Sequence, residues 1–250
     1  MGEIKKGQLK KRWFIAAVFV FLLLIFAVLL FMKKIRIASL WADRYDVQGV
    51  DVSHHQGEIN WHELAGNEIE FAFIKATEGS SHLDEQFLKN WKEASRENLM
   101  IGAYHFFSFD SPGESQAAWF IQNAGSLTGK LAPVVDVEYY GDKEKHPPEE
   151  ESVRENLQSM LTLLEKEYRM KPILYTTYSV YKKYIRGHFD DYPLWIRNVY
   201  YYPNLDLGDV WTFWQFTDRA RLTGYEGKEA YIDMNVFLGD GEELKQYICP

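Results

Sequence analysis

From Trp13 to Met32 the chain reads WFIAAVFVFLLLIFAVLLFM, twenty residues without a charge or a strongly polar group. As a helix rising 1.5 Å per residue, the run is about 30 Å long, the thickness of a bilayer's hydrocarbon. A helix in a soluble core usually keeps one polar stripe, and this run has none. The chain is therefore expected to divide into a membrane helix at 13–32 and a separate body. A cleaved signal peptide is the competing reading. Its apolar region is usually about 7–15 residues, with small residues at the cut. This run is longer and ends in Lys33-Lys34, which favours a retained anchor, whereas Ile37-Ala38-Ser39 supplies small residues.

Charge follows the same division. Residues 1–36 carry eight Lys or Arg and one acid, a sum of +7; of the chain's 28 bases and 36 acids this leaves 20 and 35, a sum of −15. Five of the bases (Lys5, Lys6, Lys10, Lys11, Arg12) precede the run and three (Lys33, Lys34, Arg36) follow it. The positive-inside rule then puts residues 1–12 in the cytoplasm and the body outside, in a periplasm or at the cell surface. Residues 33–47 read as a juxtamembrane tether and 48–250 as the folded domain. A body that acidic repels phosphates, so nucleic acid is not an expected partner. The single cysteine, Cys249, excludes an internal disulfide and a thiolate zinc site.

In the body, short apolar runs alternate with amphipathic stretches. Strands are predicted at 49–52, 71–76, 101–107, 132–138, 173–177, 194–197, 212–216 and 232–237, bounded by turn residues. Helices are predicted at 61–65, 85–97, 112–124, 149–169 and 180–187. Ser111-Pro112 is a helix-start signal. Val153, Leu157, Met160, Leu161 and Leu164 make an inward helical face. Strand–helix alternation implies parallel strands with crossover helices. No helix is evident between the last three strands. The expected fold is an irregular, TIM-like barrel of five β/α units followed by three strands, (β/α)5(β)3, preceded by one transmembrane helix. It is expected to be a monomer.

In parallel barrels, reactive groups sit at the C-terminal ends of strands. Four acids interrupt otherwise apolar strands: Asp51 in the first, Asp136 and Glu138 in the fourth, Asp233 in the eighth. Asp136 and Glu138 are two residues apart, so they share a face, with backbones about 6.6 Å apart. Two carboxylates facing one low-dielectric cavity cannot both ionise freely, and one is left able to donate a proton near neutral pH. Glycoside hydrolysis needs that: a proton donor for the leaving oxygen and a second group that stays charged. The plain alternative is that each acid pairs with Arg or Lys or caps a turn, and four together in strands weigh against it. Tyr104, Tyr175, Trp195 and Gln215 occupy similar positions. Aromatic faces stack on sugars and an amide binds hydroxyls, so these are candidate substrate-binding residues, although each aromatic alone is more often core. His54, His55 and His105 lie near Asp51 and Asp136 in this reading, but no metal-binding spacing is present. There is also no phosphate-cradling glycine loop and no Gly-x-Ser-x-Gly elbow. No metal and no cofactor is expected.

The run Gly49-Val50-Asp51-Val52-Ser53-His54-His55-Gln56-Gly57-Glu58-Ile59-Asn60-Trp61 resembles the opening signature of glycoside hydrolase family 25, the Chalaropsis-type lysozymes. The resemblance continues through Phe73-Ile74-Lys75-Ala76-Thr77-Glu78-Gly79, Gly102-Ala103-Tyr104-His105-Phe106, Asp136-Val137-Glu138, Trp214-Gln215-Phe216-Thr217 and Asp233-Met234-Asn235-Val236-Phe237. It covers roughly residues 47–240 in order. It implies hydrolysis of the β-1,4 bond between N-acetylmuramic acid and N-acetylglucosamine in peptidoglycan. On that analogy Glu138 is general acid and then base, and Asp136 orients the substrate's 2-acetamido group. Asp51 and Asp233 shape the site, and Tyr104, Tyr175, Trp195 and Gln215 line the cleft. The expected partners are peptidoglycan strands and, through residues 13–32, a lipid bilayer. Arg197 stands where the family often has a small residue, and the membrane helix is unlike the family's freely secreted enzymes. A non-catalytic peptidoglycan-binding module, a chitinase-like glycosidase and a metal-dependent hydrolase such as an amidase are the alternatives.

Overall fold

The computed structural model describes residues 2–204, 211–227 and 229–250. They form two units that divide after Ile37. The first is a helix, α1 (Gly2–Phe31), whose stretch Lys11–Phe31 is long and apolar enough to cross a membrane. It begins well before the apolar run because the preceding residues are mostly Lys, Leu and Gln, which favour helix.

The second unit begins at Ala38, inside the stretch expected to be a tether. A single turn, α2 (Ser39–Ala42), buries Ala38 and Ala42. Trp41 stacks on Tyr202 with ring centres 6.3 Å apart, and the Tyr45 and Tyr202 hydroxyls are 2.8 Å apart. Residues 38–47 are thus part of the folded body, and the small residue Ala38 is part of its core.

The strands are β1 (Gln48–Val52), β2 (Phe71–Glu78), β3 (His82–Leu83), β4 (Met100–Phe106), β5 (Val134–Val137), β6 (Ile173–Thr177), β7 (Leu194–Arg197), β8 (Phe213–Ala220) and β9 (Ile232–Phe237). β3 is a short antiparallel addition to β2. The other eight run in the order β1-β2-β4-β5-β6-β7-β8-β9 and close where β9 meets β1. From β1 through β8 neighbouring pairs are parallel. The crossovers are α3 (Trp61–Ala65), α4 (Phe87–Ala94), α5 (Gly113–Ala124), α6 (Glu150–Tyr168) and α7 (Tyr178–Val180), the last running into a π-turn over Tyr181–Ile185. This is the irregular (β/α)5(β)3 barrel, with one correction. β9 is antiparallel to both its neighbours rather than parallel. The described residues between β8 and β9 carry no crossover helix, and the connection is too short to return the chain to the other end of the barrel, so it doubles back as a hairpin. The expected absence of a helix between β7 and β8 falls partly on residues 205–210, outside the described residues.

Side chains alternate across each strand. The outward set packs under the helices; Val153, Leu157, Met160, Leu161 and Leu164 of α6 are all buried there. His105 belongs to this outer layer. It lies between Thr77 Oγ1 at 2.7 Å and Gln116 Oε1 at 3.0 Å, and burial pushes its imidazole down to about 4. It therefore braces β4 against β2 and α5, away from the site. The inward set fills the barrel. Its lower half is aromatic: Phe71 and Phe73 of β2, Trp195 of β7, Phe213 of β8 and Phe237 of β9. Glycine makes room for two of these rings. A Cβ on Gly49 would lie 2.4 Å from the Phe71 carbonyl oxygen, and one on Gly102 would lie 2.6 Å from the Phe73 ring.

Candidate active site

Above the aromatic plug the same inward rows become polar. Phe71 and Phe73 are followed by Lys75, Val134 by Asp136, and Phe213 by Gln215. Trp195 is followed by Arg197 and Gly49 by Asp51. β9 runs the other way, so its row reads Asp233, Asn235, Phe237 from top to bottom. The result is a cavity of about 290 Å³ at the C-terminal end of the parallel strands. Seven of the eight predicted site residues line it: Asp51, Tyr104, Asp136, Glu138, Tyr175, Trp195 and Asp233. The eighth, Gln215, lies just beneath and is 1% exposed.

The four acids fall into two pairs. Asp51 and Asp233 are direct cross-strand partners on β1 and β9. Gln215 Nε2 donates to Oδ2 of both, at 2.9 and 3.1 Å, and Asn235 Nδ2 donates to Asp51 Oδ2 at 2.8 Å. The amides are fixed from below: the Tyr175 hydroxyl donates to Gln215 Oε1 at 3.0 Å, and Trp195 Nε1 donates to Asn235 Oδ1 at 2.9 Å. Burial and the neighbouring Asp51 charge push Asp233 up to about 9; burial also raises Asp51, against the amide hydrogen bonds. Two adjacent buried carboxyls hold one charge more readily than two, so the pair keeps a proton at neutral pH.

Asp136 and Glu138 form the second pair, on β5 and just beyond it. Asp136 is 7% exposed, and its Oδ1 has no hydrogen-bond partner within the protein. Burial, and then the Glu138 charge, raise Asp136 well above the carboxylate range. Burial also raises Glu138, while Arg197 and Lys75 oppose it. Two carboxyls whose proton affinity burial raises thus stand together at the rim of the cavity, and one of them, Asp136, carries an unsatisfied oxygen.

Trp195 and Gln215 support this layer rather than offering a surface. The Trp195 ring, 2% exposed, packs on Phe73, Tyr175 and Phe213, which leaves no free face for a sugar. The more accessible rings on the cavity wall are Tyr104, Phe106 and Tyr231, the last 38% exposed. Sequence reasoning also passed over Lys75 and Asn235. Each continues a period-two row, Phe71-Phe73-Lys75 and Asp233-Asn235-Phe237, and that was the available signal. Lys75 Nζ donates to Glu78 Oε2 at 2.8 Å and lies over the Phe106 ring. His54 is turned to Asp84, its Nδ1 2.7 Å from Oδ2. Among the described residues no group of three or more His, Cys, Asp or Glu is placed to hold a metal ion.

A closed barrel whose rim carries paired, proton-retaining carboxyls beneath accessible rings is the apparatus of a glycoside hydrolase. Residues 50–225 match the family described as Glycosyl hydrolases family 25. The chain belongs to this family. A family 25 glycosyl hydrolase from Bacillus anthracis has the same fold, with a TM-score of 0.78 and 49% identity over 82% of this chain and 95% of that one. Lysozyme M1 of Streptomyces globisporus is 31% identical over 223 residues, 81% of this chain and 71% of its own. The protein called YegX in Escherichia coli (strain K12) is 34% identical over 209 residues, 82% of this chain and 74% of its own.

Proposed function

We propose that the chain is a muramidase that hydrolyses the β-1,4 bond between N-acetylmuramic acid and N-acetylglucosamine in peptidoglycan. The observation that carries this reading is the rim pair: Glu138, raised by burial, next to the unpartnered Asp136 Oδ1. Glu138 protonates the leaving glycosidic oxygen as the bond breaks, then takes a proton from the incoming water. Asp136 Oδ1 accepts from the N–H of the substrate's 2-acetamido group and orients its carbonyl toward the anomeric carbon, a substrate-assisted variant of the two-carboxylate scheme. The Asp51–Asp233 pair, fixed by Gln215 and Asn235, supplies one negative charge close to the oxocarbenium-like centre. Full-length protein in detergent micelles, incubated with purified peptidoglycan, tests this. Muropeptides ending in reducing N-acetylmuramic acid are expected by mass spectrometry. Products ending in reducing N-acetylglucosamine, or binding without any product, would overturn it.

The membrane reading rests on the apolar helix and the charge bias around it. Residues 13–32 cross the bilayer with residues 1–12 in the cytoplasm. The barrel then works at the outer face of the membrane, and its acidity (−15 outside residues 1–36) makes a covalent anchor useful next to an anionic wall. Protease added to intact cells should digest the barrel and leave the N-terminus. Release of the barrel into the medium would show instead that the helix is a cleaved signal.

A further inference from the structure

Two cations stand among the acids of the rim, and each is held by a carboxylate. Lys75 on β2 is tied to Glu78 at 2.8 Å, near the Asp136 side. Arg197 on β7 is tied by Nη2 to Asp218 Oδ2 of β8 at 2.7 Å, and Asp218 lines the cavity. The register places Arg197 at the level of Glu138. Val137 pairs with Thr176, Thr177 with Arg197, and Arg197 with Gln215. Glu138 and Arg197 therefore flank Thr177, two strand spacings or about 10 Å apart at the backbone. Both belong to inward rows, and the charges of the two side chains act on one another across that gap.

We infer that Arg197, steered and partly neutralised by Asp218, is a positioning residue that sets the pH at which Glu138 gives up its proton. The inference rests on the muramidase reading only for Glu138's role. Glu138 is faced by Asp136 on its own strand and by Tyr175 on β6. Arg197 and Asp218 face it from β7 and β8, and Asp233 and Asp51 from β9 and β1. Lys75 and Tyr104 stand on β2 and β4, and His55, Glu229 and Tyr231 line the same cavity from the loops. The acids raise the proton affinity of Glu138 and the two cations lower it. The Arg197 charge lowers the proton affinity of Glu138 more than the Lys75 charge does, and Glu138 in turn acts on Arg197. A general acid must be protonated in the enzyme–substrate complex, so its pKa marks the basic limb of the rate profile. Arg197 moves that limb to lower pH. Asp218 limits the movement by neutralising part of the guanidinium charge. At this separation in a partly buried site, a full charge is worth about one pH unit.

The test is the pH dependence of kcat with soluble peptidoglycan fragments, measured on full-length protein in micelles. Arg197→Gln should move the basic limb up by about one unit, and Asp218→Asn should move it down. Arg197→Lys should stay close to wild type. In the Arg197→Gln background Asp218→Asn should still move the limb down, because the Asp218 charge also acts on Glu138 directly. Variants that move in the same direction, or that do not move while remaining folded by circular dichroism, would overturn the inference. A residue with a merely structural role would lower activity without opposite shifts. Should Arg197→Gln fail to fold, Arg197→Met, which keeps the length of the side chain and removes its charge, takes its place with the same upward shift expected. The Glu138 carboxyl can also be titrated directly by carbon-13 NMR in the same variants. That readout needs no substrate, so an inactive wild type would count against the muramidase reading and leave the arginine inference open to proof or refutation.

Discussion

The lower and upper halves of the barrel interior are built on the same inward rows of the same strands, with opposite chemistry. Below, Phe71, Phe73, Phe213 and Phe237 meet in edge-on and tilted contacts with ring centres 5.1–5.7 Å apart. Above, two residues on, the rows carry Lys75, Asp136, Arg197, Gln215 and Asp51, and the reversed β9 carries Asp233 four residues before Phe237. The lower half removes apolar surface from water and stabilises the fold. The upper half holds carboxyls that burial drives toward their neutral forms, at a cost in stability. Preorganised proton donors are found where folding is locally unfavourable, and the aromatic layer beneath offsets that cost.

If this division is right, substitutions in the two halves should separate activity from stability. The largest effect is expected for Glu138→Gln. Losing the proton donor should lower kcat by about 10³-fold, with melting temperature unchanged or raised, since a buried carboxyl becomes a neutral amide. A variant that kept wild-type turnover would remove Glu138 from the chemistry. Phe73→Ala should do the reverse. Emptying a ring-sized volume in the plug should cost about 3–5 kcal/mol in chemical denaturation, while the surviving folded fraction keeps most of its turnover. Loss of turnover without loss of stability would mean that the plug is not a separate structural layer.

A third test uses the sign of the pH dependence. Asp233 is raised to about 9 in the folded protein, far above the unfolded value. Between those values the folded state holds a proton that the unfolded state has released. Stability should therefore be greatest at acidic pH within this window and fall as pH rises through it, by at most about 1.4 kcal/mol per unit. Asp233→Asn cannot titrate, so its stability should be flatter from pH 5 to 8 in urea melts. An equally steep or steeper slope would mean that the Asp51–Asp233 pair does not share a proton.

Much of this site was legible in the sequence because acids rarely interrupt buried strands. Asp51, Asp136 and Asp233 stand out against Val, Ile and Phe neighbours without any knowledge of the fold. Strand direction was less accessible. Asp233 is the second residue of β9, so the rule that sites form at C-terminal strand ends places it at the wrong end of a parallel strand. It reaches the cavity because β9 runs backwards, and that follows from the length of the connection before it rather than from the strand's own residues. The pattern also gave no depth. Tyr104 and Trp195 look alike as aromatics in strands and both border the cavity, yet one stays partly exposed on its wall and the other is 2% exposed, packed into the layer below. That difference depends on strand stagger around the closed barrel. Residues 38–47 looked like a tether because so short a stretch between the apolar run and the first strand shows no periodicity of its own. Their burial depends on Trp41 and Tyr45 meeting Tyr202, a contact between distant parts of the chain.

The smallest effect is expected where the two halves meet. The Trp195 ring belongs to the plug, but its Nε1 donates to Asn235, whose amide donates to Asp51. Trp195→Phe keeps an aromatic ring and removes this donor. Asn235 Oδ1 then loses its partner at a buried position, and stability should fall by about 1 kcal/mol. The amide, no longer fixed, holds Asp51 less well, so kcat should fall a few-fold with little change in KM. An equal fall in stability with kcat untouched would show that Asn235 and Asp51 are positioned from within the upper layer alone. The plug would then support the acids by its bulk only, and the hydrogen bond from Trp195 would carry no orientation upward.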